Sequence, residues 1–126
     1  MTGRLAVAAL VLMTACAPRA ADVPPNATEP DAAHVALAET IVPDDPDLAA
    51  IYDRSCRTCH ALPGLGAPLA GDSAAWEARR AERGDDSLLA SVKSGRNAMP
   101  ALGYCPDCTD EEFKALIAFM STEGEQ

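Results

Sequence analysis

The chain has 126 residues, of which 48% are hydrophobic, and its formal net charge is −9. This length indicates one domain, and the acidic balance excludes a nucleic-acid-binding protein, which needs a basic surface. Large core side chains are few (two Phe, two Tyr and one Trp), so a small domain of this composition is expected to depend on a disulfide, a metal or a cofactor.

The N-terminus has the pattern of an export signal. One basic residue, Arg4, precedes an apolar run over residues 5–13, which is too short to span a bilayer but typical of a signal peptide. The next letters, T-A-C, resemble a lipoprotein cleavage site that makes Cys16 the lipidated first residue, and ordinary cleavage after Ala17 is the alternative. We predict a signal peptide over residues 1–16, lipidation of Cys16, and a periplasmic protein anchored to a membrane.

Residues 17–44 are rich in Ala, Pro and acidic side chains and poor in large apolar ones. Segments of this composition cannot bury enough apolar surface to fold alone, and prolines keep them extended. We predict a linker over residues 17–44, in which residues 32–40 could form a transient helix. The folded domain then covers residues 45–126.

Apolar periodicity and capping residues predict four helices in this domain, over residues 45–57, 73–81, 86–94 (or from 85) and from 109 onward. The first has Asp45 as its N-cap and Pro46 in its first turn. The last opens with the capping-box sequence T-D-E-E, and Gly95 ends the third. Because no strand pattern of any length is present, the predicted fold class is all-α.

Residues 56–60 read C-R-T-C-H, which is the attachment sequence of a c-type haem. Two thiols three residues apart face the same side of a helical turn, where Cys56 and Cys59 can add across the two vinyl groups of a porphyrin. The next residue, His60, then carries an imidazole below the iron. The sequence therefore predicts one covalently bound haem c, whose apolar volume would complete the small core.

Haem iron held by His and Met is an electron-transfer arrangement, because the soft thioether raises the reduction potential. Met1 and Met13 belong to the predicted signal, and Met120 falls on the apolar face of the last helix, where methionine most often fills a core. Met99 stands in the loop sequence N-A-M-P, and Pro100 biases its backbone toward extended conformations. We expect Met99 to be the sixth iron ligand and Met120 to be a core residue.

Residues 51–120 resemble a class I cytochrome c, and specifically the bacterial cytochrome c5 group. The matching pieces are C-R-T-C-H at 56–60, A-P at 67–68, G-D-S-A-A-W-E at 71–77, N-A-M-P at 97–100 and G-Y-C-P-D-C-T-D-E-E at 103–112. The resemblance implies a small fold of about four helices around one haem, with a first and a last helix that cross. It also implies His60 and Met99 as axial ligands and a disulfide between Cys105 and Cys108.

Three further residues are assigned to the haem through the same resemblance. The backbone carbonyl of Pro68 is the implied acceptor for the second ring N–H of His60, and Pro63 is the alternative acceptor. Trp76, the only tryptophan, is implied to lie near a haem propionate, and Arg79 could reach the same carboxylate from one helical turn further on. The alternatives are a plain core position for Trp76 and a solvated helix face for Arg79.

These features favour a monohaem electron carrier. Both axial positions are then filled, no open iron site takes a small-molecule substrate, and the partners are redox proteins of a bacterial respiratory chain. The first alternative is a haem-bearing electron-transfer subunit of a larger periplasmic dehydrogenase or oxidase complex. A zinc ribbon built from both C-x-x-C pairs is a third hypothesis, disfavoured by the 45 residues between Cys59 and Cys105. We therefore predict an electron carrier rather than an enzyme.

Overall fold

The computed structural model describes residues 30–84 and 86–123. The predicted signal peptide, the predicted lipidation of Cys16 and the linker up to residue 29 lie outside the described residues. The described part contains six α-helices: α1 (Ala32–Thr40), α2 (Pro46–Ile51), α3 (Arg57–His60), α4 (Ser73–Arg83), α5 (Asp86–Ser94) and α6 (Asp110–Ser121). These residues form no strand, only one isolated bridge, and the all-α fold class is confirmed.

The first predicted helix is longer than expected and contains an irregular turn. Asp45 caps it, because its carboxylate accepts from the backbone N–H groups two and three residues further on, at 2.9 and 3.1 Å. A π-helical turn over Tyr52–Cys56 joins α2 to α3. The helix then continues to His60 instead of ending near Arg57, since Ala61 N–H donates to Arg57 O at 2.9 Å and closes one more turn.

A packed helix, α1, lies within the segment that composition indicated to be a linker. The carboxylate of Asp31 caps it. Ala38 is fully buried, and the Arg57 guanidinium donates to Glu39 O at 2.8 Å, which ties α1 to α3. The packed part of the chain therefore begins before the predicted boundary at residue 45.

Gly71 lets α1 pack closely against the rest of the domain, because it has no side chain. A Cβ at this position would lie 2.8 Å from Leu37 Cδ2 and 3.2 Å from Ile41 Cδ1, so an added methyl group would have to displace the ends of these two side chains. The φ of Gly71 is +85°, which also favours glycine. Because the burial of α1 depends on a residue far along the chain, its own composition could not reveal it.

The remaining predicted helices are present with small changes in their bounds. α4 is capped by Asp72 and runs two residues further than predicted, to Arg83, before Gly84 takes a positive φ. α5 ends at Ser94, directly before Gly95. Both helices therefore stop at a glycine with a left-handed or mirror conformation, as helix C-termini often do.

The last helix, α6, forms one wall of the core. Thr109 and Glu112 make the predicted capping box at its N-terminus. Its buried apolar residues are Phe113, Leu116, Ile117 and Met120. The ring of Phe119 meets that of Tyr52 edge-on, with centroids 5.1 Å apart, so α6 contacts the helix that leads into C-x-x-C-H.

The core that these helices form is open on one side. Its largest fully buried side chains are Tyr52, Leu69, Cys105 and Leu116. On the open side a cleft begins between α3, α5, α6 and the loop after α5. Within the described ranges, no helix has the length and apolar character needed to span a bilayer.

Gly71→Ala is expected to lower the free energy of unfolding by about 1–3 kcal/mol, because the new methyl group both strains the backbone and displaces Leu37. Gly84→Ala is the matched control, since Gly84 has a φ of +83° but no atom within 4 Å of the added Cβ. Urea unfolding followed by circular dichroism measures both. Equal losses in the two variants would contradict the packing of α1 on Gly71.

Candidate haem site

The cleft is mostly apolar and partly open to solvent. The empty space between its walls, counted together with the part open to solvent, is about 480 Å³. Its walls are formed by Ser55, Cys56, Cys59, His60, Val92, Met99, Pro100, Gly103, Tyr104, Phe113, Leu116, Ile117 and Met120. The two thiols and the imidazole of C-x-x-C-H therefore share this cleft with two methionines.

The two cysteines of the motif are free thiols on the cleft wall. Cys56 ends the π-helical turn, and Cys59 lies in α3. Burial raises the pKa of Cys56 to about 11, although Arg54 acts in the opposite direction. Near neutral pH this side chain is therefore a protonated thiol.

The His60 imidazole is held in one orientation and kept neutral. It is 5% exposed, and its Nδ1 lies 2.8 Å from Pro68 O. Because a carbonyl only accepts, Nδ1 carries the proton and Nε2 keeps a lone pair for a metal in the cleft. Burial lowers the pKa of His60, and the Pro68 carbonyl opposes that shift. The structure thus brings together His60 and Pro68, rather than His60 and Pro63.

Trp76 supports His60 from behind. Its ring stacks on the imidazole, with centroids 5.4 Å apart and 25° between the planes. Its Nε1–H donates to Leu69 O at 2.8 Å, inside the loop of residues 61–72 that follows α3, here called the proximal loop. The single indole N–H therefore has a backbone partner, and the position of Trp76 near a haem propionate stays a prediction.

Arg79 holds the same loop from one turn further along α4. Its guanidinium donates to Ala75 O at 2.8 Å and to Gly66 O at 3.3 Å. A guanidinium has five N–H donors, so these bonds leave others for a carboxylate. Contact between Arg79 and a propionate stays a prediction, while its contact with the proximal loop is a feature of the fold.

Met99 lies in a loop whose backbone is tightly folded. Arg96 N–H donates to Met99 O at 3.0 Å, and Met99 N–H donates to Arg96 O at 2.8 Å. Gly95 permits this turn, because a Cβ there would lie 2.9 Å from Met99 O. The side chain of Met99 reaches the cleft that His60 also lines.

Met120 lines the cleft as well, which the sequence did not lead us to expect. It is buried on α6 and belongs to the same core as the neighbouring apolar residues of that helix. Two thioethers thus border the cleft, one on a turn and one on a helix. The two can be told apart by substitution, because only an iron ligand changes the reduction potential strongly when it is replaced.

A disulfide joins Cys105 to Cys108 where the methionine loop meets α6, with Cα atoms 5.4 Å apart. It takes two of the four sulfurs that a zinc ribbon would need. Across residues 30–84 and 86–123, no group of three His, Cys, Asp or Glu side chains is arranged to hold a metal ion. The zinc hypothesis therefore has no support in this geometry.

Arg54 is a residue of this region that no local pattern signals. Its Nη2 lies 3.2 Å from Cys105 Sγ and 3.3 Å from Asp107 Oδ2. These partners stand 51 and 53 positions further along the chain, so only the fold reveals the contact. Arg54 therefore links the π-helical turn that ends at Cys56 to the disulfide.

The donor set of the cleft fits an iron porphyrin attached through two thioether bonds. Two half-buried thiols lie three residues apart on one helical face, next to an imidazole whose Nδ1 is bonded to a carbonyl and whose Nε2 stays available. A thioether is available in the same cleft, and the walls are apolar. Soft sulfur and imidazole donors with an apolar shell suit haem iron better than a hard cation.

Comparison with known proteins agrees with this chemistry. The profile of the family described as "Cytochrome C oxidase, cbb3-type, subunit III" matches residues 43–120. The chain is 51% identical to "Cytochrome c5" of Azotobacter vinelandii over 76 residues, which are 60% of this chain and 88% of the relative. It is 46% identical to "Cytochrome c5" of Ectopseudomonas mendocina over 72 residues (56% of this chain, 83% of the relative). For "Cytochrome c-555" of Chlorobaculum tepidum the identity is 38% over 74 residues (56% and 68%).

Trp76→Phe is expected to lower the free energy of unfolding by about 1 kcal/mol, the net contribution of one hydrogen bond, since the ring still stacks on His60. Trp76→Leu should lose more stability, because it removes both the bond and the aromatic stack. Urea unfolding of the haem-loaded protein measures the two variants. A Trp76→Phe protein as stable as the wild type would mean that the bond to Leu69 O does not hold the proximal loop.

Proposed function

Because this chain belongs to the class I cytochrome c family, we propose that it is a periplasmic electron carrier whose single haem iron is held by His60 and Met99. Family membership itself makes the chain a c-type cytochrome with one covalently bound haem c and a role in electron transfer. The axial pair, the compartment and the partners are the proposal. The observation that supports it most is that Cys56, Cys59, His60 and Met99 line one apolar cleft.

When bound, a haem c supplies a one-electron couple. His60 provides one axial nitrogen, and the Pro68 carbonyl fixes the plane of its ring and increases its donor strength through Nδ1–H. Trp76 stacks on the imidazole ring of His60 and limits the tilt of that ring. These contacts hold the nitrogen in one position, so little rearrangement of the ligand is needed when the charge of the site changes.

Met99 provides the second axial donor in this proposal. A thioether stabilises the reduced state and raises the reduction potential. The loop that carries Met99 is fixed by the Gly95 turn on one side and by the Cys105–Cys108 disulfide on the other. Apolar walls such as Phe113 keep water away, which again favours the less charged, reduced state.

With both axial positions taken by protein side chains, no iron position is left for a small-molecule substrate. We therefore assign the chain the role of a carrier rather than an enzyme. Electrons would cross at the open edge of the cleft, where Tyr104 is 71% exposed. We propose redox proteins of a bacterial respiratory chain as the partners, and the similarity to bacterial relatives named cytochrome c5 supports this choice.

The compartment is proposed from the N-terminal sequence. An export signal over residues 1–16 would deliver the chain to the periplasm, where c-type haem is attached. Lipidation of Cys16 would add several acyl chains, which give much firmer anchoring than a single chain. The haem domain would then remain near a membrane surface while it exchanges electrons with its partners.

A second candidate function is that of a haem-bearing subunit in a larger periplasmic dehydrogenase or oxidase complex. The matching family profile is itself described as a subunit of a cytochrome c oxidase. The two candidates predict different native sizes. A free carrier would elute as a small species after mild solubilisation, whereas a subunit would co-purify in fixed ratio with other chains.

Met99→Leu is expected to leave the haem attached but to open the sixth iron position. The reduction potential should fall because the soft thioether is lost, and added imidazole or cyanide should bind to the iron. Redox titration and optical ligand titration measure these effects on the haem-loaded protein.

Met120→Leu is the matched control, because the same change of side chain is made on the same cleft. A volume-conserving replacement in the core should cost less than about 1.5 kcal/mol of stability and should not change the potential strongly. If Met120→Leu lowered the potential and Met99→Leu did not, the sixth ligand would be Met120 and the assignment of Met99 would be wrong.

Cys16→Ala is expected to move the cytochrome from the membrane fraction to the soluble periplasmic fraction, because the acyl chains can no longer be added. Cell fractionation with detection of covalent haem measures this change. Mass spectrometry of the wild-type N-terminus provides the control. A soluble wild-type protein that begins at Pro18 would support ordinary signal cleavage and contradict lipidation.

A further inference from the structure

The surroundings of the Cys105–Cys108 disulfide go beyond what a structural crosslink requires. Cys105 is 1% exposed, whereas Cys108 is only half-buried. Arg54 Nη2 contacts Cys105 Sγ at 3.2 Å, and Cys108 stands directly before Thr109, the N-cap of α6. A cation and a helix N-terminus are the surroundings that stabilise a thiolate. The contact with Arg54 thus favours the reduced, ionised form of Cys105.

Two carboxylates lie nearby and act in the opposite direction. Asp107 Oδ1 is 3.6 Å from Cys105 Sγ, but Asp107 also pairs with Arg54 at 3.3 Å and is largely exposed, so water screens its charge. The Glu112 carboxylate is engaged by Thr109 N–H at 2.7 Å in the capping box. The guanidinium is therefore the charge in closest contact with the sulfur of Cys105.

The same disulfide closes the segment that carries Met99. Gly103 N–H donates to Pro100 O at 3.1 Å, and Cys105 N–H donates to Leu102 O at 2.8 Å, so the chain runs from the methionine through consecutive turns into Cys105. The disulfide then joins the end of these turns to Cys108, which directly precedes the N-cap of α6. Opening it would leave Cys105 and Cys108 held together by the hydrogen bond from Cys108 N–H to Cys105 O, at 3.2 Å, without a covalent link between their side chains.

We propose that Cys105–Cys108 is a reversible thiol–disulfide site, which a dithiol reductant opens and whose state controls how firmly the loop holds Met99 in the cleft. The partner is a small dithiol or a protein with a dithiol motif. The coupling to the iron rests on the proposed function, namely on Met99 as the axial ligand. The reactivity of the disulfide does not depend on that assignment.

The exchange proceeds in two steps. A thiolate of the reductant attacks the Sγ of the half-buried Cys108, the S–S bond breaks, and Cys105 leaves as a thiolate beside Arg54. The second thiol of the reductant then attacks the mixed disulfide, Cys108 leaves, and the reductant becomes an internal disulfide. Two electrons and two protons pass from the dithiol to the cysteine pair. An oxidised partner of the same class reverses the reaction.

The reactivity is tested on the folded, haem-loaded protein in buffers of reduced and oxidised dithiothreitol. Free thiols are trapped with iodoacetamide and counted by mass spectrometry, without denaturant. We expect complete and reversible reduction in the wild type. Arg54→Gln should make the disulfide about tenfold harder to reduce, equivalent to a potential about 30 mV lower, because the leaving thiolate loses its cation.

Arg57→Gln is the matched control, since Arg57 lies on the same helical stretch but contacts Asp53 and Glu39 O rather than the disulfide. Its disulfide should be reduced as easily as that of the wild type. A disulfide that opens only in denaturant would overturn the proposal. Equal reduction potentials for the Arg54→Gln and Arg57→Gln proteins would overturn the role of the guanidinium.

The coupling to the iron is tested with trapped, reduced protein and with the double variant Cys105→Ser, Cys108→Ser, which carries no alkyl groups. After removal of the reductant the iron is reoxidised, and the weak long-wavelength band of methionine-ligated ferric haem is recorded. We expect the band to weaken in both samples, and cyanide to bind at least several-fold faster than to the disulfide form.

The outcomes separate this proposal from the assignment of the ligand. If the disulfide form shows the band and opening the disulfide changes neither the band nor cyanide binding, the coupling is wrong while a methionine remains the ligand. If the disulfide form has no such band, Met99 is not the ligand and the coupling falls with it. In that case the thiol titration alone still decides whether the disulfide is reactive.

Discussion

Two thiols and one imidazole must face the same apolar cleft from the end of a π-helical turn and the four-residue helix that follows it, and much of the structure is arranged around that requirement. In an unbroken α-helix Tyr52, Cys56 and His60 would share one face. The π-helical turn over Tyr52–Cys56 inserts an extra residue and rotates the following face by about 100°. Tyr52 can then pack on Phe119 while Cys56 and His60 line the cleft.

The stability of this arrangement comes from burial and backbone hydrogen bonds more than from ion pairs. The bridges between Arg54 and Asp107 and between Lys93 and Asp110 are partly exposed, so each is worth about 0–1 kcal/mol. His60, by contrast, is buried, neutral and bonded to a carbonyl. None of the four residues in these ion pairs lines the cleft.

Features with a local cause could be predicted from the sequence. Asp45 and the Thr109–Glu112 box mark helix starts because capping needs only neighbouring residues, and C-x-x-C-H carries its chemistry in five consecutive positions. Met99 was singled out because Pro100 stiffens its loop. Each of these signals is contained within a few residues.

Features with a distant cause could not be predicted. The packing of α1 needs the missing side chain of Gly71, and the contact of Arg54 with Cys105 spans 51 positions. The partner of the Trp76 indole depends on how the proximal loop folds back toward α4. In each case the residue can be read from the sequence, but the part of the molecule that it contacts is known only from the fold.

The hydrogen bond between Arg57 and Glu39 O gives the fold a mechanical property. Arg57 stands between Cys56 and Cys59, so the residue that is hydrogen-bonded to α1 lies inside the attachment motif itself. Tension on the N-terminal part of the chain would be transmitted through α1 to this residue. A pull from that end would thus act directly on the segment that carries the two attachment cysteines, rather than on the loop that carries Met99.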